Sequence, residues 1–222
     1  MRRKVIPELL DDDLGTPEEI AASLVDLRHI NDWFGGTQTT VSLLRQVAER
    51  RGGGELSLLE VGAGRGDTLL RVAQMLTAKG LRVKVTLLDR MWSHLPSSGT
   101  RSVAGDALAL PFRDGSFDVV SCSLFAHHLE ADELRGFVRE GLRVCRKAVV
   151  INDLIRNALH LALVYAGLPL FRSRLTWHDA PASVRRAYTC DEMRDMLRAV
   201  SAAQVTISRH FLYRMGVVIW KS

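Results

Sequence analysis

"LLEVGAGRGD", Leu58 to Asp67, is the stretch on which the reading of this chain turns. An apolar run closes on an acid, Glu60, and then meets three glycines in five residues, Gly62, Gly64 and Gly66. Glycine allows positive φ and carries no Cβ, so backbone can touch a ligand there. A helix that follows offers unpaired N–H groups at its first turn. Dinucleotide sites use this arrangement with the spacing GxGxxG and seat a pyrophosphate on the helix N-terminus. Here the spacing is GxGxG, and Asp67 stands where the third glycine would be. A carboxylate at that end of the helix repels a pyrophosphate. A ligand without phosphates fits the turn better.

Downstream of this turn, short β-branched runs alternate with amphipathic segments. Strands are expected at 56–61, 82–88, 101–103, 117–122, 147–152, 204–209 and 215–220. Helices are expected between them at 67–79, 131–144, 154–167 and 190–200. Such alternation builds βαβ units and a mainly parallel sheet. The last two strands are joined by the short link "RHFLYR", which suits an antiparallel pair. Upstream, residues 5–50 read as helical. Thr16, Pro17 and Glu19 form a capping-box start, Gly35 breaks the first helix, and Thr39 or Thr40 starts a second. The stretch 168–189 shows little periodicity and reads as an irregular, functional segment.

Several acids fall at the carboxyl ends of the expected strands, where open α/β sheets bind ligands. Asp89 closes "VTLLDR" and can accept both hydroxyls of a ribose. Asp106, in "VAGDALALPF", can accept from an adenine amino group while the Ala107 N–H donates to the ring. After the fourth strand comes "LFAHHL", an apolar loop with two histidines.

In order, "LLEVGAGRGD", "VTLLDR", "GDALALPFRDGSFDVVSC" and "LFAHHL" resemble the successive motifs of class I S-adenosylmethionine-dependent methyltransferases, in the type-11-like group of small-molecule enzymes. The resemblance covers roughly 56–152. It implies an α/β fold with a seven-stranded Rossmann-like sheet, order 3-2-1-4-5-7-6, strand 7 antiparallel. An N-terminal helical cap is expected over 1–54, and the methyltransferase domain over 55–222, with a substrate-side insertion at 154–189. The implied cofactor is S-adenosylmethionine, leaving as S-adenosylhomocysteine. Residue by residue, Glu60 would organise the methionine end and Gly62, Ala63 and Gly64 the close backbone approach. Asp89 and Arg90 would hold the ribose, Asp106 and Ala107 the adenine, and Leu124 and Trp33 the remaining walls. A nicotinamide-dependent oxidoreductase is the rival reading, but it leaves "GDALALPF" without a role.

Methyl transfer needs alignment of donor and acceptor and exclusion of water, and positioning alone supplies about 7–11 kcal/mol. A base for the acceptor is sought among His127 and His128, beyond the fourth strand, and His178, next to Asp179. The acceptor walls are expected to include Phe125, Tyr165, Trp177 and Arg185, an apolar set with one cation. The substrate expected is a hydrophobic or aromatic small molecule, phenolic or polyketide-like, methylated on oxygen. Carbon methylation of the quinone-biosynthesis type and a non-catalytic binding protein are the alternatives. No metal is expected, because Ser121-Cys122-Ser123 holds no acid and Asn152-Asp153 only one, which leaves an oxygen-only magnesium site without a second carboxylate.

The whole chain bounds these readings. It has 222 residues, 47% hydrophobic and 25% charged, with a net charge of +5. The length suits one large α/β domain or one domain with a small appendage. From Phe171 onward nine Lys/Arg face four acids, so that segment holds the entire positive excess. There is no basic run of five and no aromatic interleaving, so nucleic acid is not favoured as a partner. Cys122, Cys145 and Cys190 are too scattered for a disulfide framework or zinc ribbon. The N-terminal stretch has no apolar h-region, and the longest apolar stretch, 158–171, is too short to span a bilayer. A cytoplasmic protein acting on a small molecule is expected.

Overall fold

In a computed structural model, which describes residues 1–51, 54–97, 99–198, 200 and 204–221, seven strands form one sheet. They are β1 (Glu55–Val61), β2 (Arg82–Asp89), β3 (Arg101–Ala104), β4 (Phe117–Ser123), β5 (Cys145–Leu154), β6 (Val205–His210) and β7 (Arg214–Trp220). Their order is β3-β2-β1-β4-β5-β7-β6, parallel except that β7 runs antiparallel to both neighbours. The implied topology is borne out. The β6–β7 hairpin turns on Leu212 and Tyr213, both at positive φ (50° and 60°), and pairs His210 with Arg214. Two positive-φ residues at a hairpin tip match the twist of the strands they join.

Alternate residues of each strand face opposite sides. Leu58 therefore joins a core with α2 (Gly36–Arg51) and α3 (Asp67–Thr77), through Leu44, Val47, Leu69 and Val72. Its neighbour Leu59 joins the other core, with α4 (Ala131–Val144) and α7 (Cys190–Arg198), through Phe137, Val138 and Met193. Strands buried on both faces read as continuous apolar runs, which is why "LSLL" and "VVSC" show no alternation. The second helix, placed in the cap by the sequence, thus packs on the sheet itself. What lies over the carboxyl edge is α1 (Pro17–Trp33), the segment before it, α5 (Ala158–Gly167) and α6 (Arg174–Arg186).

Thr16 caps α1 with the expected capping box, and Pro17 is its first residue. Three expectations need correction. The second helix starts at Gly36, ahead of Thr39. The helix expected from 154 starts at Ala158, because β5 continues to Leu154 opposite Arg214 and Asn157 then caps α5. Most importantly, 168–189 is largely helical: a short 3-10 turn, Leu168–Leu170, leads into α6. Ser173 caps α6, and Asp26 of α1 accepts from the N–H groups of Arg172 and Ser173 and from the Thr176 hydroxyl. Pro181 lies inside α6 and removes a helical N–H, which broke the pattern in the sequence. The distant carboxylate of Asp26 fixes a start that local propensity does not. No helix among the described residues is long and apolar enough to cross a membrane.

Candidate active site

The glycine turn takes its shape from the residues beneath it. Gly62, Gly64 and Gly66 all have positive φ (65°, 50° and 71°). A Cβ on Gly62 would lie 2.5 Å from the Phe125 ring, so the glycine lets the loop after β4 close over the loop after β1. Asp89 holds the turn in place. One carboxylate oxygen accepts from Gly64 N–H at 2.8 Å and the other from Met91 N–H at 2.9 Å. Each oxygen keeps a second lone pair for a ligand hydroxyl. Asp106 accepts from Leu108 N–H at 2.8 Å in a tight local turn.

Glu60 is buried at the end of β1 and accepts from the Ser121 hydroxyl. Burial dominates, raising its pKa to about 7 against the opposing hydrogen bonds of Ser121 and Ser123. Leu124, directly after β4, sits at φ 54°, a costly conformation for a γ-branched residue and one found at ligand clamps.

A cavity of about 950 Å³ opens above these groups. Its wall contains Glu60, Gly62, Ala63, Gly64, Asp89, Arg90, Asp106, Ala107, Leu124 and Phe125. It also contains His127 and His128, in the turn Ala126–His128. The volume lies at the upper end of the small-molecule range of roughly 300–1,000 Å³.

The far wall carries a polar network. His127, 2% exposed, donates its backbone N–H to Asp153 at 2.8 Å and pairs Nδ1 with the same carboxylate at 2.6 Å. Its Nε2 lies 3.5 Å from Glu8. Burial disfavours the imidazolium, but the charges and hydrogen bonds of Asp153 and Glu8 outweigh it and lift the pKa to about 10. Correspondingly, Asp153 and Glu8 are held below the usual carboxylate range despite their burial. His128 pairs Nδ1 with Asp11 at 2.9 Å. His160, on α5, turns Nδ1 to the Ile155 carbonyl at 3.0 Å, and burial holds its pKa low.

Other expected residues do not meet the cavity. Trp33 is exposed and stacks on His29. Tyr165 and Arg185 bond to each other at 2.7 Å outside the wall. Trp177 donates Nε1 to the Phe171 carbonyl, also outside it. His178 points outward and pairs with Asp179, whose carboxylate also accepts the N–H groups of Leu9 and Leu10. In α6 it is Asp179, Ser183 and Arg186 that face inward.

Two contributors were not foreseen. Glu8 arrives on the segment before α1, which is strapped down by Arg3 on Glu130 (2.8 Å) and by Lys4 N–H on the Arg185 carbonyl (3.0 Å). Arg214, the first residue of β7, is 1% exposed. Its Nε donates to the Phe34 carbonyl at 3.3 Å, while both terminal nitrogens lack a hydrogen-bond partner among the described residues. Burial depresses its pKa to about 10. A buried guanidinium with two idle nitrogens beside a cavity marks a place for an anion.

Residues 59–151 match a family model described as a methyltransferase domain. Over 92 residues the chain is 40% identical to a demethylmenaquinone methyltransferase of Roseiflexus castenholzii, covering 40% of this chain and 37% of that protein. Over 101 residues it is 32% identical to the ajmaline N-methyltransferase of Rauvolfia serpentina, covering 43% and 34%. The chain thus spans well under half the length of these curated relatives. Among solved structures, the plantazolicin methyltransferase in complex with a desmethyl analog and S-adenosylhomocysteine superposes with a TM-score of 0.68 at 12% identity. That match covers 97% of this chain and 95% of the other. The fold is shared at that distance, and over residues 59–151 the chain matches a methyltransferase domain.

Proposed function

We propose that the protein transfers the methyl group of S-adenosylmethionine to a small, largely apolar metabolite, on oxygen. The observation that carries the reading is the single cavity running from Glu60, Asp89 and Asp106 to the histidine wall. The cofactor supplies an activated methyl on a sulfonium. Asp89 would accept the ribose hydroxyls, Asp106 the adenine amino group, and Glu60 the ammonium of the methionine end. Arg214 would pair with the methionine carboxylate, which gives its idle nitrogens a partner. Phe125, Leu124 and Leu129 would keep water from the reacting centre.

His127 is less suited to the role of base. Held as imidazolium near neutrality, it offers charge that favours an ionised acceptor oxygen. Methylation on carbon of a quinone precursor is the second reading, favoured by the 40% identity to the demethylmenaquinone enzyme.

Isothermal calorimetry with S-adenosylhomocysteine and with NAD(H) tests the cofactor. Binding of NAD(H) with none of S-adenosylhomocysteine would sink the proposal. Methyl-labelled donor with a panel of phenols and demethylated quinones tests the acceptor, and mass spectrometry of the product locates the methyl.

A further inference from the structure

Glu8, His127 and His128 converge at the cavity wall, and the proposed transfer leaves this convergence unexplained. Glu8 Oε1 lies 3.5 Å from His127 Nε2 and 3.8 Å from His128 Nε2, and one donor atom of each residue lies within 4.8 Å of the other two. The opposite nitrogen of each ring is occupied, by Asp153 at 2.6 Å and by Asp11 at 2.9 Å. Both rings therefore turn Nε2 toward one point.

A simple ion pair does not account for the spacing. Charge-assisted N–H···O bonds close to about 2.7–2.9 Å. His127 Nε2 is buried and makes no hydrogen bond. Tetrahedral N and O donors at about 2.0–2.1 Å from zinc stand roughly 3.3 Å apart, close to the separations here. A carboxylate on the far nitrogen of each ligating histidine is the arrangement that fixes tautomer and raises ligand strength. A ligating histidine is neutral, so binding the ion would release the proton that otherwise holds His127 as imidazolium.

We propose that Glu8, His127 and His128 bind a divalent transition-metal ion of the zinc class, with a coordination position open to the cavity. Two imidazoles and one carboxylate are the wrong donors for magnesium and the right ones for zinc, iron or nickel. The site's role rests on the methyltransferase reading. An acceptor hydroxyl or enol oxygen coordinates the ion and gives its proton to solvent. Its lone pair then forms the O–CH₃ bond as the sulfonium C–S bond breaks and leaves its electrons on sulfur. The acceptor class is accordingly an oxygen acid able to coordinate a metal.

The test uses tag-free protein stripped with a chelator, titrated with zinc chloride by calorimetry, with cobalt(II) as the spectroscopic probe. Expected are one equivalent of tight zinc, cobalt ligand-field bands and a raised melting temperature. Glu8→Gln and His128→Ala should each lose these. Asp11→Asn should weaken zinc by about 10–100-fold, the usual cost of an outer partner. Glu8→Gln keeps shape and volume, so a folding defect in the histidine variant does not hide the answer. Zinc binding equally weak in wild type and Glu8→Gln, without cobalt bands, overturns the site. S-adenosylhomocysteine is titrated into the same wild-type sample. Zinc bound without it keeps the metal site and removes the transferase reading, and the converse result does the reverse.

Discussion

The two walls of the cavity are built in opposite ways. The wall proposed for the cofactor is local. Glu60, the glycine turn, Asp89, Asp106 and Leu124 come from one half of the sheet, at the carboxyl ends of the consecutive strands β1 to β4. Backbone does much of its shaping, as when Asp89 gathers the N–H of Gly64. The wall proposed for the acceptor is assembled from afar. Its Glu8–Ser183 bond joins residues 175 apart, and Leu9 reaches Asp179 across 170.

Variants on either side sharpen this contrast. The largest effect is expected from Asp89→Ala. Losing a carboxylate that holds the loop and is proposed to accept the ribose hydroxyls should raise the dissociation constant for S-adenosylhomocysteine about 100-fold, since each charged hydrogen bond contributes roughly 1.5–3 kcal/mol. Calorimetry reads this, and an unchanged affinity would place the ribose elsewhere. Arg214→Met crosses the boundary between the walls. It should weaken S-adenosylhomocysteine by about tenfold, one charged hydrogen bond's worth. It should leave 5′-methylthioadenosine, which has no methionine carboxylate, unaffected. Equal losses for both ligands would deny the arginine its pairing role.

Acid–base behaviour separates the walls next. Glu60, raised from 4.5 to about 7, stabilises the unliganded fold below pH 4.5 and loses that contribution as pH climbs to about 7. His127, raised from 6.5 to about 10, stabilises below pH 6.5 and loses that contribution as pH climbs to about 10. Melting temperatures across pH should therefore decline in two windows. Glu60→Gln should flatten the lower and His127→Gln the upper, and a variant that flattens the other's window contradicts the assignment. The smallest change belongs to Trp33→Ala. Exposed and outside the cavity, it should alter cofactor affinity less than about twofold and stability within about 0.5 kcal/mol.

What could be read from the sequence divides along the same line. Strand positions, the turn at Gly62–Gly66, and Asp89 and Asp106 follow from short-range patterns of apolar runs, glycine spacing and acids at strand ends, and the sheet order from the family resemblance those motifs carry. The composite wall leaves no such trace. Glu8 sits in "IPELLDDD", where an acid before more acids reads as solvated surface, and only the Asp179 anchor on Leu9 and Leu10 turns it inward. Arg214 reads as one more hairpin cation until β5 extends to Leu154 and buries it. The segment that forms α6 reads as irregular in the sequence, so the face it presents could not be read either. Trp177, His178 and Arg185 drew attention by type, but the start imposed by Asp26 and Ser173 turns Asp179, Ser183 and Arg186 to the cavity. The paired histidines were found because they follow β4 directly.

The strap formed by residues 3–10 has a consequence in time. Its anchors, Glu130, Asp179, Ser183 and Arg185, are all synthesised long after it. At roughly 5–20 residues per second, Glu8 waits on the order of 10–35 s before Ser183 leaves the ribosome. Over that interval β1 to β5 and the glycine turn can form, while β6, β7 and the roof of the cavity are still to come. A strap made early is therefore seated late, once the segments that anchor it have followed.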